Sequence, residues 1–207
     1  MEKRVSSLKV NIVPNGVDTN FFTFRRKINR SELKTVLFVG NFKWLQNREA
    51  VSILIREVWP KIKTVLKDKV RLWIVGKSPP SDILKKQVRD IKVYDDIDDI
   101  RRVYQKADVL LAPIYGPGGT RYKILESMAA GIPVVTTSTG IEGLSAKNAK
   151  EVLVAEDSSG LANLTIRVLT DENLYKKLAF SGRRLVEDKY SWKTIARDLD
   201  NIYEQAV

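Results

Sequence analysis

Several short runs of this chain are apolar almost without interruption: Thr35–Val39, Arg71–Val75, Val109–Ala112 and Val134–Thr136. A strand with one wet face alternates polar and apolar residues, because successive side chains point to opposite sides. A run without alternation must be covered on both sides, and a parallel sheet between two layers of helices does this. Helical segments fall between the runs, at Arg48–Leu66, Ser81–Arg89, Ile97–Ala107 and from Arg121 to a left-handed stop at Gly131. Short strands at Lys9–Val13, Lys92–Tyr94 and Val152–Ala155, with helices over Ser158–Thr170, Glu172–Val186 and Trp192–Gln205, complete the pattern. Strand and helix alternating over short connections predict an α/β chain: a Rossmann-like, doubly wound parallel sheet with a C-terminal helix. Ligands of such a sheet bind beyond the strand C-terminal ends, where the strand order reverses. The 207 residues hold one such domain and are marginal for two. No repeat, low-complexity tract or clear linker divides them.

The stretch Tyr115–Glu142 carries the chemistry. The loop Gly116-Pro117-Gly118-Gly119-Thr120 follows an apolar strand and opens into a helix. The first N–H groups of a helix have no partner within it, and they and the helix dipole favour a bound anion. Arg121 and Lys123 add two cations in the first turn, although cations at a helix start oppose the dipole unless an anion lies there. Ile124, Leu125 and Met128 form an apolar stripe, with Tyr122 and Glu126 sharing a flank. Glu126 lies roughly 8–9 Å along the axis from the first donors, about the separation of a distal phosphate from the ribose of one nucleotide. A carboxylate there can accept bonds from both ribose hydroxyls. The plain alternative is a solvated glutamate paired with Lys123.

The chain has no histidine and no cysteine, which rules out within it imidazole bases, His-ligated metals, thiol chemistry and disulfides. The lack of cysteine suits a reducing compartment. No apolar run approaches the roughly 20 residues of a membrane span, and Met-Glu-Lys-Arg-Val-Ser-Ser lacks the apolar region of a signal peptide. A cytoplasmic location is therefore expected.

Four segments resemble the retaining GT-B glycosyltransferases of group 1, family GT4, and specifically their C-terminal, donor-binding domain. They are Val13-Pro14-Asn15-Gly16-Val17-Asp18 with Phe21 and Phe22; Val36-Leu37-Phe38-Val39-Gly40-Asn41; Ala107-Asp108 through Pro113; and Gly118 through Val135, continued by Gly140-Ile141-Glu142-Gly143-Leu144. The resemblance implies one half of a GT-B fold, with a core over about 14–190. It also implies a terminal helix, 191–207, returning to an N-terminal acceptor-binding domain absent from this chain. The implied activity is sugar transfer from a nucleotide-diphosphate sugar, with retention and without metal or other cofactor.

By the same resemblance, Gly40, Asn41, Lys43, Gly118, Gly119, Thr120, Arg121 and Lys123 bind the donor diphosphate, and Arg121 and Lys123 stabilise the leaving group. Glu126 binds the ribose. The segment Val93, Tyr94, Asp95, Asp96 and Ile97 holds the base, mostly through main chain. Glu142 is a weaker candidate. Two departures stand out. Gly118 occupies the place where many members carry a first glutamate, as in a subgroup with a GGTRxKILE sequence. Asn41 and Gln46 stand where members often carry an arginine and a lysine, leaving Lys43, Arg48, Arg121 and Lys123 as substitutes.

The net charge of +11 invites a nucleic-acid reading. The cations are dispersed, however, and no motif interleaves them with stacking aromatics, so solvated helix faces account for most and no nucleic acid is expected. Peripheral contact with an anionic membrane, on its inner face, is a second expected role. Trp59, Trp73 and Trp192 read as core or interdomain anchors, and Trp44 as a residue of the ligand rim. Two readings stay open: a donor-binding component of a transferase, inactive alone, or a nucleotide or nucleotide-sugar binding module acting through a partner.

Overall fold

A computed structural model describes residues 10–24, 32–117, 119 and 121–205 of the chain. Six strands, β1 (Lys34–Val39), β2 (Val70–Gly76), β3 (Ile91–Asp95), β4 (Val109–Ala112), β5 (Val134–Thr136) and β6 (Leu153–Val154), form one sheet in the order β3-β2-β1-β4-β5-β6. Every pairing is parallel. Leu37 in the central strand sits between Trp73 of β2 and Leu110 of β4. The chain winds outward from β1 to β3, then returns to the other side of β1, so the switch point lies between β1 and β4. The expected doubly wound α/β fold is present.

Two buried layers explain the unbroken apolar runs. Val36, Phe38, Leu72, Ile74 and Leu111 pack into one, with the helices Leu45–Ile53 (α1), Trp59–Leu66 (α2) and Ser158–Thr170 (α6). Their neighbours Leu37, Trp73, Val75 and Leu110 pack into the other, with Ile100–Lys106 (α4, following a short α3 at Ser81–Leu84) and Tyr122–Ala129 (α5). Alternate side chains leave opposite faces, yet both sets are buried. The outer helices are α7 (Glu172–Lys189) and α8 (Trp192–Glu204).

Several boundaries differ from the sequence reading. Val10–Val13 is not a strand, having no partner in the sheet; Lys9 and the basic run Arg25-Arg26-Lys27 lie outside the described residues. The helix expected from Arg48 begins at Leu45 and passes through a π-helical turn, Leu54–Val58. That turn precedes Pro60, which has no N–H to donate and whose ring crowds the carbonyl four residues back. The helix expected over Ser81–Arg89 stops at Leu84, because Val88 bridges Ile91 to start β3. The helix expected from Ile97 starts at Ile100, where the Asp99 carboxylate caps the Arg101 N–H at 3.0 Å. The opening motif docks on the C-terminal end: the Val17 N–H donates to the Tyr190 carbonyl at 2.7 Å, and Phe22 meets Tyr104 edge-on. Among the described residues no helix is long and apolar enough to cross a membrane.

Candidate functional site

At the switch point the loop after β1 faces the loop after β4. The first is held tightly: the Gly40 N–H donates to Val75 O and the Phe42 N–H to Lys77 O, both at 2.9 Å. A Cβ on Gly76 would lie 1.6 Å from the Gly40 carbonyl oxygen, so only glycine allows the ends of β1 and β2 this close. Asn41 turns its side chain onto its own loop, accepting from the Lys43 N–H at 3.0 Å, and Lys43 itself is exposed. Gln46, at the position of the resemblance's lysine, donates to the Pro117 carbonyl at 3.2 Å and so ties one loop to the other. Arg48 lies elsewhere, beside Pro80 and Ile83. Trp44 is 64% exposed on this rim, whereas Trp59 and Trp73 are in the core and Trp192 is 50% exposed.

Helix α5 brings the next group. Among the described residues no side chain caps its N-terminus, and Gly119 before it has a left-handed φ of 73°. Gly118 and Thr120 lie outside the described residues. Arg121 is buried and turns toward the far loop, donating from Nη2 to Thr139 O at 2.8 Å with Glu142 at 4.0 Å. The Lys123 side chain enters the crevice between α1 and α5. Its ammonium donates to Asn47 Oδ1 at 2.5 Å and lies 4.7 Å from the centre of the Phe38 ring. Burial, then the like charge of Arg121, push the Lys123 pKa down to about 8, against the pull of Glu126.

One turn further along, the Glu126 carboxylate accepts from the Tyr104 hydroxyl at 2.8 Å. Burial raises its pKa, while the Tyr104 bond and the Lys123 charge pull it back. Tyr104 is fully buried, and burial with the Glu126 charge drives its own pKa well up, so it stays a donor. The result is a short row of charged groups, Arg121, Lys123 and Glu126, along a helix whose open end meets the crevice. Such a row can meet an anion and a pair of hydroxyls in sequence.

Sequence reasoning singled out that row but not the two residues that hold it, Asn47 and Tyr104. The segment Val93–Ile97 is only partly gathered. Val93 is in the core; Tyr94 stacks edge-on against Trp73; the Asp95 carboxylate accepts from the Ser78 N–H at 3.1 Å; and Asp96 lies 3.4 Å from Lys77. A hollow of about 440 Å³ beside this segment is lined by Trp73, Tyr94, Ile97, Arg102 and Val103 among others, so only Tyr94 and Ile97 of the five face it.

The family model described as glycosyl transferases group 1 matches residues 33–171. An uncharacterised glycosyltransferase of Methanocaldococcus jannaschii is 30% identical over 96% of this chain and 55% of its own length. The chain spans about half the length of the curated relatives it matches. Among solved structures, sucrose-phosphate synthase from Thermosynechococcus elongatus superposes with a TM-score of 0.74 at 23% identity, over 95% of this chain and 52% of that one. HepE of Anabaena, solved with UDP and glucose, gives 0.73 at 16% identity, over 94% and 56%. At these identities the two structures speak for the fold alone.

Proposed function

Because the chain belongs to the group 1 glycosyltransferases, with the Rossmann-like α/β fold of one half of a GT-B enzyme, we propose that it binds the nucleotide-sugar donor of a retaining transferase. The observation that carries this is the Lys123 ammonium, held in the switch-point crevice at the open N-terminus of α5 with Glu126 one turn behind it. The diphosphate lies against the α5 N-terminus, the 116–120 loop and the Gly40–Lys43 loop. The ribose hydroxyls donate to Glu126, and the base lies toward Tyr94 and Ile97. UDP, the nucleotide held by HepE, is the first to try.

On this reading the bond between the anomeric carbon and the diphosphate oxygen breaks, and its electron pair goes to the diphosphate. Lys123 stabilises that growing charge together with the helix N–H groups, and Arg121 joins them by exchanging its Thr139 carbonyl for the diphosphate. These two cations supply the compensation, and no metal or other cofactor is assigned a part. The acceptor and the configuration-setting groups belong to a second domain of the parent protein, so this chain alone binds without transferring. We place it in the cytoplasm, its basic surface able to rest on an anionic membrane and not adapted to nucleic acid. The second reading, a binding module that serves a partner, is favoured by the half-length match to the relatives.

Calorimetric titration with UDP, GDP and ADP tests the proposal. One base class should bind saturably, and Glu126→Ala and Arg121→Ala should each lose roughly tenfold or more in affinity, the range for a hydrogen bond to a charged group. Absence of binding by all three, with the fold intact, would remove the donor-site reading.

A further inference from the structure

The crevice is spanned by one side chain that none of the sequence motifs includes. Asn47, in the first turn of α1, donates from Nδ2 to the Asn41 carbonyl at 2.8 Å and accepts the Lys123 ammonium on Oδ1 at 2.5 Å. Both partners have fixed polarity: a carbonyl only accepts and an ammonium only donates. The amide is therefore locked in one orientation, its oxygen toward Lys123. Gly40 makes room for it, since a Cβ there would come within 2.8 Å of the Asn47 side-chain carbon. The contact joins residues 76 positions apart and crosses from the β1 side of the switch point to the β4 side.

We propose that Asn47 is a positioning residue, which holds the Lys123 ammonium in its charged form at the mouth of the crevice, where the donor diphosphate binds. The inference rests on the diphosphate reading above and adds to it the residue that keeps the cation in service. Its need is physical. Lys123 is lined by the Phe38 ring on β1, shares its helix with the like charge of Arg121, and is offset by Glu126 one turn on, itself bonded to Tyr104 of α4. Glu142 is nearer Arg121 than the crevice. Burial beside another cation favours loss of the proton, and a hydrogen bond accepted from the ammonium opposes that loss. Asn47 is the acceptor, and it is anchored so that it cannot turn away.

Two substitutions separate this role from simple packing. Asn47→Leu keeps the branched heavy-atom shape and removes the acceptor; Asn47→Asp keeps the shape and adds charge. With 13C-labelled lysine, the Lys123 side-chain resonance, identified by its loss in Lys123→Met, reports the proton directly in the absence of nucleotide. The expected result is opposite movement: the midpoint falls by about half a unit or more in Asn47→Leu and rises by about one unit in Asn47→Asp. Midpoints that stay put, or move together, overturn the proposal. UDP affinity measured from pH 6 to 10 in the same proteins should weaken on the alkaline side, with each variant's limb following its own midpoint. At pH 7 a half-unit fall leaves most of Lys123 charged, so Asn47→Leu should bind less than about twofold more weakly there, and the deficit should grow to about threefold near pH 9. If the midpoints diverge as expected and wild type binds no nucleoside diphosphate, Asn47 still holds Lys123, and it is the diphosphate reading that falls. Thermal unfolding checks that both variants are folded, and Asn47→Asp carries the test alone if the leucine is not accommodated.

Discussion

Lys123 is costly to the fold, and the sign of that cost can be measured. Its pKa is about 8 in the folded chain against 10.5 as the ordinary value, so between those pH values the unfolded chain binds the extra proton. Stability attributable to this residue therefore rises as pH increases from about 8 to 10.5, and below pH 8 the full penalty stands. Replacing it with an uncharged chain of similar length should remove the penalty: Lys123→Met should gain about 1–3 kcal/mol at pH 7, with the gain shrinking as pH rises above about 8, while UDP binding collapses. Urea unfolding at pH 7 and 10 checks the pair of values; a loss of stability at pH 7 would mean that the crevice favours the charge. Tyr104 makes the complementary case. Tyr104→Phe leaves the Glu126 carboxylate without its 2.8 Å donor and should cost about 1–2 kcal/mol. It should also push the Glu126 pKa further up, since the hydrogen bond now lowers it. An unchanged unfolding midpoint would deny the bond.

At the scale of elements, what could be read in the sequence was whatever is decided locally. Strands β1, β2, β4 and β5 were legible because each is buried on both faces, so their apolar runs are nearly unbroken, whereas the edge strand β3 alternates buried and exposed residues. Helix α5 was legible because its loop, its cations and its glutamate lie within a dozen residues. Boundaries failed where a distant or competing group sets them. Four aspartates precede α4, at 95, 96, 98 and 99, and the fold decides that Asp99 caps it while Asp95 braces the Ser78 turn. Asn47 and Tyr104 were invisible for the same reason, since they meet α5 from 76 and 22 positions away. Gly76 shows how closely elements set the site. An alanine there would place its Cβ 1.6 Å from the Gly40 carbonyl oxygen, a backbone atom that cannot rotate aside. Gly76→Ala should therefore destabilise by about 2–4 kcal/mol and weaken UDP binding too, because relief of the clash moves the Gly40–Trp44 loop. Full affinity in a destabilised Gly76→Ala would detach that loop from the site.

At the scale of the whole molecule, α8 is an element whose apolar surface the described chain leaves partly uncovered. The C-terminal helix α8 buries Ile195 but leaves Trp192 50%, Leu199 37% and Tyr203 64% exposed. Those three fall at a spacing of seven and four, which places them along one side of a helix. Aligned apolar side chains in water gain nothing for this chain on its own, since exposed positions contribute within about half a kcal/mol when replaced. The stripe makes sense if α8 packs on more protein, in line with a chain that covers about half of its relatives' length. Leu199→Glu with Tyr203→Glu should therefore leave the unfolding midpoint and UDP affinity of this chain nearly unchanged. In a protein that joins the chain to an acceptor-side domain, the same pair should lower transfer activity and loosen the contact between the halves, seen as an expanded radius of gyration in solution scattering. Loss of stability in the short chain would instead show that α8 is integral to this domain, and the stripe would then need no partner.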